Sequence, residues 1–205
     1  MEITRLVTAG NRDPRGPRDF ENNVWLIGDD AEVVVIDPAH DPDAITQAVG
    51  NRQVVAVLLT HGHWDHVRAA PEFTASAGVT PWLSGEDDFL WRESNGDARY
   101  LPLEDGAEFT IAGESLVAVH TPGHTPGSTS YWLPSKRAVF TGDTLFQGGP
   151  GATRWGYSNF DQIIASITTR LFPLGDDVVV NTGHGPSTTI GDERPDLRHW
   201  VDRGW

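Results

Sequence analysis

Four potential metal ligands fall within six residues of this 205-residue sequence, in the stretch His61-Gly62-His63-Trp64-Asp65-His66. They follow directly on the apolar run Val54-Val55-Ala56-Val57-Leu58-Leu59, which reads as a buried strand. Two residues apart in extended backbone, His61 and His63 project to the same side, whereas Asp65 and His66 leave at another angle after a turn. Gly62 is expected to let the chain bend between the two histidines. Packing gains nothing from such a cluster, because burying polar groups without partners is costly. Imidazole nitrogens and a carboxylate oxygen do suit a divalent ion, and four of them at one strand end can supply parts of two metal shells.

Three further candidates share that setting. His124 lies in Thr121-Pro122-Gly123-His124-Thr125-Pro126-Gly127 after a strand expected at residues 114–119. Asp143, in Thr141-Gly142-Asp143-Thr144, follows one expected at 138–141, and His184, in Thr182-Gly183-His184-Gly185-Pro186, follows one expected at 177–181. Each ligand comes just after a strand and a glycine, as in loops gathered at one edge of a sandwich. Such loops need elements to carry them. Further strands are expected at 23–27, 32–36 and 128–133, and helices beginning at Asp41 or Pro42, near Ala69, near Glu86, and at Ser158 or Asn159. The last is the clearest, with Ile163, Ile164, Ile167, Leu171 and Phe172 at helical spacing, Ser158 as its N-cap and Pro173 as its stop. That order suits an α/β sandwich with helices over two sheets.

Composition narrows the chemistry. The absence of cysteine restricts any metal to nitrogen and oxygen ligands. A net charge of −14, with 29 acidic residues against 15 basic ones and no basic cluster, disfavours nucleic acid and anionic membranes as partners. No apolar run approaches the ~20 residues of a membrane span. The start MEITRLVTAGN lacks the regions of a signal peptide, so a cytoplasmic location is expected. The length suits one domain over 1–205. The Pro/Arg segment 11–19 is expected to be a surface connection, and 188–193 a loop before one short terminal helix. His40 and His199 are expected to be structural or solvated, and His120 to support the His124 loop.

HGHWDH, TPGHTPGS, FTGDTLF and TGHGP, in this order, resemble the metallo-β-lactamase superfamily over residues 22–186, and in particular small glyoxalase II-like thioester hydrolases. The resemblance implies an αββα sandwich of two mixed sheets covered by helices, with a dinuclear site at one edge. It implies that His61, His63 and His124 hold one divalent ion, that Asp65, His66 and His184 hold a second, and that Asp143 bridges them. Asp37 matches an early family aspartate and is expected to orient a ligand imidazole. Zinc is the expected metal, with iron or manganese as alternatives. Two such ions acidify a shared water, and Asp65 and Asp143 are expected to act directly in catalysis. A thiolate leaves unaided, with a reference pKa of ~8.5, so a thioester asks least of these residues.

In glyoxalase II relatives the loop after the bridging aspartate contacts a small-molecule substrate. On that basis Arg154 is expected to pair with a substrate carboxylate and Tyr157 to hydrogen-bond the substrate, while Trp64 and Trp155 form an apolar wall. The alternatives are a lactonase or other ester hydrolase, and a mononuclear iron persulfide dioxygenase using only His61, His124 and Asp143. His63 stands where flavodiiron-type relatives carry Glu, and the last motif reads His184-Gly185-Pro186 rather than His-Glu-Tyr. Residues 187–205 follow the last motif, at the place where the full-length glyoxalase II enzymes that this sequence resembles add a helical domain that helps grip glutathione, so specificity for another thiol carrier is an open expectation. The thiol carrier, the acyl group and the oligomeric state are open on these grounds.

Overall fold

A computed structural model describes residues 1–13, 15–17 and 19–204; Pro14 and Arg18 of the Pro/Arg segment, and Trp205, lie outside the described residues. The chain begins as an antiparallel meander of β1 (Glu2–Gly10), β2 (Phe20–Gly28) and β3 (Glu32–Ile36). Helix α1 (Pro42–Val49) carries it back so that β4 (Gln53–Leu58) runs parallel to β3. Asp41 caps that helix by accepting from Ala44 N (3.1 Å), and Pro42 opens it with its preset φ. Then come α2 (Trp64–Val67), α3 (Ala70–Ala77), β5 (Trp82–Leu83), α4 (Asp88–Asn95) and β6 (Leu101–Pro102), completing a mixed sheet ordered β1-β2-β3-β4-β5-β6.

The second half repeats the plan. β7 (Glu108–Ile111), β8 (Glu114–His120), β9 (Thr129–Leu133) and β10 (Ala138–Gly142) form an antiparallel meander. A small hairpin of β11 (Leu145–Phe146) and β12 (Gly149–Pro150) precedes α5 (Phe160–Ser166). β13 (Val179–Thr182) then runs parallel to β10, followed by β14 (Thr188–Thr189), α6 (Ile190–Glu193) and α7 (Leu197–Arg203). The sheet order is β14-β13-β10-β9-β8-β7.

Alternation along the strands makes the layers. Trp25, Ile27, Val34, Ile36 and Leu58 of the first sheet face Leu116, Ala118, Tyr131, Leu133 and Phe140 of the second. The intervening Val24, Leu26, Val33, Val35 and Val57 turn outward onto α1, α3 and α4 through Ile45, Phe73 and Trp91. Val139 and Val180 do the same for α5 and α7 through Ile163, Ile167 and Trp200. The central strands β2, β3, β4 and β10 bury both faces along most of their length, which is why their runs read as continuous apolar segments, and the αββα sandwich expected from the sequence is the fold found. No helix among the described residues is long and apolar enough to cross a membrane.

Some expectations need correction. β1 is a nine-residue edge strand, yet Thr4 and Arg5 lie exposed, so its apolar residues do not alternate and it gave no strand signal. The cap of α5 is Asn159, whose side chain accepts from Gln162 N (3.0 Å). Ser158 is not available for that task, because its hydroxyl donates to the His124 carbonyl (2.8 Å). The apolar periodicity runs on through a wider turn at Ile167–Leu171 and ends in the 3-10 turn Phe172–Leu174, where Pro173 stops it. Residues 188–193 are not a loop: β14 pairs with β13, and Thr189 caps α6 by accepting from Asp192 N (3.1 Å).

Tyr131 joins core to site. It is fully buried between the sheets, and its hydroxyl donates to the Leu59 carbonyl (2.7 Å), two residues before His61. Tyr131→Phe strands that buried carbonyl and is expected to cost about 1–3 kcal/mol, read as a lowered urea midpoint with an unchanged m-value.

Candidate metal centre

β3, β4, β8, β10 and β13 all end at one edge of the sandwich, where an α/β sheet collects its functional loops. The sheets are stitched together there by bonds from Asn23 N to Gly183 O (2.8 Å) and Thr129 N to Thr60 O (2.7 Å), and Gly183 N to Gly142 O (2.8 Å) ties the ends of β13 and β10 within the second sheet. The seven residues expected as ligands meet at this edge. His61 Nε2 and His124 Nε2 each lie 3.0 Å from His63 Nδ1. Beside this group, His184 Nε2 stands 3.2 Å from both Asp65 Oδ2 and His66 Nε2. Asp143 faces both sets, with Oδ1 3.2 Å from His66 Nε2, and Oδ2 3.5 Å from His124 Nε2 and 3.6 Å from His184 Nε2.

The opposite ring nitrogen of every one of these histidines has a partner. His66 Nδ1 donates to Asp37 Oδ2 (2.9 Å), His124 Nδ1 to the Ala152 carbonyl (2.8 Å) and His184 Nδ1 to the Glu21 carbonyl (2.6 Å). Thr60 Oγ1 donates to Asp37 Oδ2 (2.6 Å) and so accepts from His61 Nδ1 (3.0 Å). His63 Nε2 donates to the Tyr157 hydroxyl (2.9 Å). These partners leave the five opposite ring nitrogens turned toward one another, the arrangement that outer hydrogen bonds impose on metal-ligating histidines. Asp37, expected to orient a ligand imidazole, lies in hydrogen-bond contact with His66, from a left-handed backbone (φ 50°) rare for a residue with a side chain. Asp143 Oδ1 is buried and accepts no well-aligned hydrogen bond, although His66 Nε2 is near. Imidazole nitrogens and two carboxylates, one of them with an orphaned oxygen, fit divalent ions.

Electrostatics divides the site. Burial drives the affinity of His61 for a proton well below its usual value, and burial with His124 alongside takes His63 down to about 3. Burial also lowers His124, so this half is neutral near pH 7. In the other half, burial opposes charge on Asp143 and Asp65, but His66 and His184 more than offset it and hold both carboxyls below the usual range. Reciprocally, Asp143 chiefly raises His66 and His184 against the effect of burial. Two carboxylates thus hold positive charge where a second cation would sit.

A cavity of about 660 Å³ opens onto these groups. Trp155 covers His63 and His124, at ring separations of 4.7 and 5.3 Å, and stacks parallel to Tyr157. Trp64 forms another part of the wall, packed on Phe20 at 5.5 Å. Arg154 lies exposed on the Trp155 ring, 5.0 Å from its centroid. All four residues expected to meet substrate line this cavity, although the Tyr157 hydroxyl is engaged with His63. Arg12, from the segment expected to be a plain surface connection, also lines it and is paired with Glu93 of α4. Only the fold brings the β1–β2 connection over the cavity, and nothing in its local sequence marks that.

Other residues depart from expectation. Gly62 has no unusual backbone angle; a Cβ there would meet Leu90 Cβ at 2.8 Å, so glycine is needed for the approach of α4 rather than for a bend. His40 is structural but not solvated: it is buried, and its Nε2 donates to Asn22 Oδ1 (3.1 Å). Asn22 in turn donates to Asp65 Oδ2 (3.2 Å), a role that its position at a strand start did not advertise. His120 supports the His124 loop through the Pro126 carbonyl (2.9 Å), and His199 is exposed.

A family model described as the metallo-beta-lactamase superfamily matches residues 17–184. Over 193 residues the chain is 37% identical to the hydroxyacylglutathione hydrolase GloC of Haemophilus influenzae, covering 85% of this chain and 91% of that one. It is similar in structure to BLEG-1, described as a B3 metallo-beta-lactamase, at a TM-score of 0.79, with 26% identity and 95% and 97% of the two chains covered. It is also similar to TTHA1623 in a di-iron-bound form, at a TM-score of 0.77, with 29% identity and 92% and 96% covered.

His40 gives the metal-free protein a pH dependence. Burial lowers the pKa of His40 to about 4, whereas an unfolded histidine takes its proton near ~6.5. Between those values the unfolded chain binds more protons, so stability falls as pH falls through that window. In urea titrations of chelator-stripped protein, His40→Gln should lose less stability between pH 6.5 and 4 than the wild type does.

Proposed function

The chain belongs to the metallo-beta-lactamase superfamily, and from that membership and its similarity to a hydroxyacylglutathione hydrolase we propose that it hydrolyses thioesters of the hydroxyacyl-thiol type with two divalent ions. The observation that carries the reading is the pair of ligand groups on either side of Asp143. The similarity to a hydroxyacylglutathione hydrolase supports the substrate class. Residues 1–205 act in this reading as one catalytic domain.

His61, His63 and His124 would hold one ion and Asp65, His66 and His184 the other, with Asp143 placed to serve both. Bound there, the ions would supply an acidified water as nucleophile together with polarisation of the acyl carbonyl. Asp65, steadied by Asn22, accepts a hydrogen bond from the attacking water and orients it. Asp37 keeps His66 in the tautomer that presents Nε2 to the site. Trp155 and Tyr157 screen the His63 side from solvent. The Tyr157 hydroxyl, pushed up to about 12 by burial, keeps its proton at neutral pH while accepting from His63.

A departing thiolate needs no protonation, whereas an amide nitrogen would require an acid that the ligand set does not offer. Arg154, laid on Trp155, pairs with a carboxylate on the acyl or thiol portion. Zinc suits these nitrogen and oxygen donors, and iron or manganese share them.

Metal analysis of the purified chain, joined to a panel of thioesters, lactones and persulfides, tests the reading. Two metal equivalents per chain, and equimolar thiol and acid from a thioester turned over faster than any lactone, are expected. A single iron with oxygen consumed on a persulfide would overturn it. Asp143→Ala should abolish both metal retention and hydrolysis. Arg154→Ala removes a charge-assisted contact and should raise KM roughly 10-fold for a carboxylate-bearing thioester, with a smaller effect on kcat.

A further inference from the structure

Between the two loops that carry the three-histidine group lies a carboxylate with no part in the chemistry above. Asp87 ends the 3-10 turn Gly85–Asp87 that leads into α4, and its side chain is fully buried. Its Oδ2 accepts from Gly62 N (2.8 Å), between His61 and His63, and from Thr125 Oγ1 (2.7 Å), next to His124. Its Oδ1 accepts from Gly127 N (2.7 Å), further along the His124 loop. All three donors are neutral, and burial raises the carboxyl above its usual pKa against their opposing effect. The fit is close: a Cβ on Gly127 would meet Asp87 Cγ at 2.7 Å, and one on Gly62 would meet the Asp87 carbonyl oxygen at 3.0 Å.

Burying a carboxylate without a cation is costly unless its hydrogen bonds are complete, so such a group persists where its geometry is needed. Here the geometry is a staple. One side chain holds the loop bearing His61 and His63 against the loop bearing His124, and neither loop has a strand partner at those residues. The same residue opens α4, which brings Leu90, Glu93 and Ser94 to the cavity.

We propose that Asp87 is the positioning residue of the three-histidine site, setting the separation of His61 and His63 from His124 and seating the α4 wall of the substrate cavity against them. The proposal uses the two-ion reading only for the contrast between sites.

The test is cobalt(II) and zinc titration of the chelator-stripped full chain against a chromophoric chelator. The three-histidine site is read in a His184→Ala background and the Asp65–His66–His184 site in a His124→Ala background. Asp87→Asn replaces one accepting oxygen with an amine that faces a donor. It should weaken the three-histidine site roughly 10–100-fold, change its cobalt absorption, and leave the other site close to wild type. Thr125→Val, which removes one donor and keeps both backbone bonds, should weaken the same site less, and Thr125→Ser should restore it. Should Asp87→Asn fail to fold, the Thr125 pair carries the test.

Equal weakening of both sites, or an unchanged three-histidine site in Asp87→Asn or, where that variant does not fold, in Thr125→Val, would overturn the proposal. If the wild type binds one ion per chain, the two-ion reading falls, while the Thr125→Val and Thr125→Ser contrast still reports on Asp87.

Discussion

Imidazole nitrogens 3.0–3.2 Å from one another, with carboxylate oxygens in the same space, need a proton or a metal cation between them, and the fold is arranged to hold them there. Each imidazole is fixed from behind, by Asp37, Thr60, Tyr157 or the carbonyls of Glu21 and Ala152. Those anchors come from β2, from the ends of β3 and β4, and from the loop after β12. The convergence is therefore a property of two sheets meeting at an edge rather than of any one loop.

The two halves of the site differ in a way that follows from their residue types. Three histidines in a dry pocket stay neutral and offer lone pairs without charge. Two histidines beside Asp65 and Asp143 form a charged set, in which the carboxylates dominate and positive charge is favoured. Asp143 belongs to both, which couples occupancy of one half to the electrostatics of the other. Asn22 and His40 extend the charged half inward, and Asp87 underlies the neutral half.

The cavity is held from beneath by parts of the chain remote in sequence. Glu193 of α6 is buried, accepts from Gly148 N (2.8 Å) and Thr188 Oγ1 (2.6 Å), and pins the β11–β12 hairpin from which the Trp155 loop departs. Trp200 of α7 packs under the same hairpin, 3.2 Å from where a Cβ on Gly149 would lie. The terminal segment thus braces the Trp155 loop. Arg12 and Arg154 both line the cavity, beside the carboxylates of Asp65, Glu93 and Asp143, and Arg12 is paired with Glu93.

The seven candidate ligands that converge and the layered architecture were legible in the sequence because both depend on short-range pattern. Apolar runs buried on two faces mark strands, and a histidine or aspartate just beyond a strand and a glycine marks a loop with a chemical task. β1 escaped that reading because an edge strand with exposed Thr4 and Arg5 need not alternate, and Ser158 was misread because its hydroxyl serves a carbonyl 34 residues earlier. Asn22, His40, Arg12 and Asp87 were beyond reach for a common reason. Their partners lie tens of residues away, and a lone polar side chain shows what it does only when packing removes its water and leaves it one neighbour to bond. Residue types and spacing determined which atoms could bind metal; the tertiary structure alone decided how those atoms are aimed, because aim is set by hydrogen bonds between segments that share no local pattern.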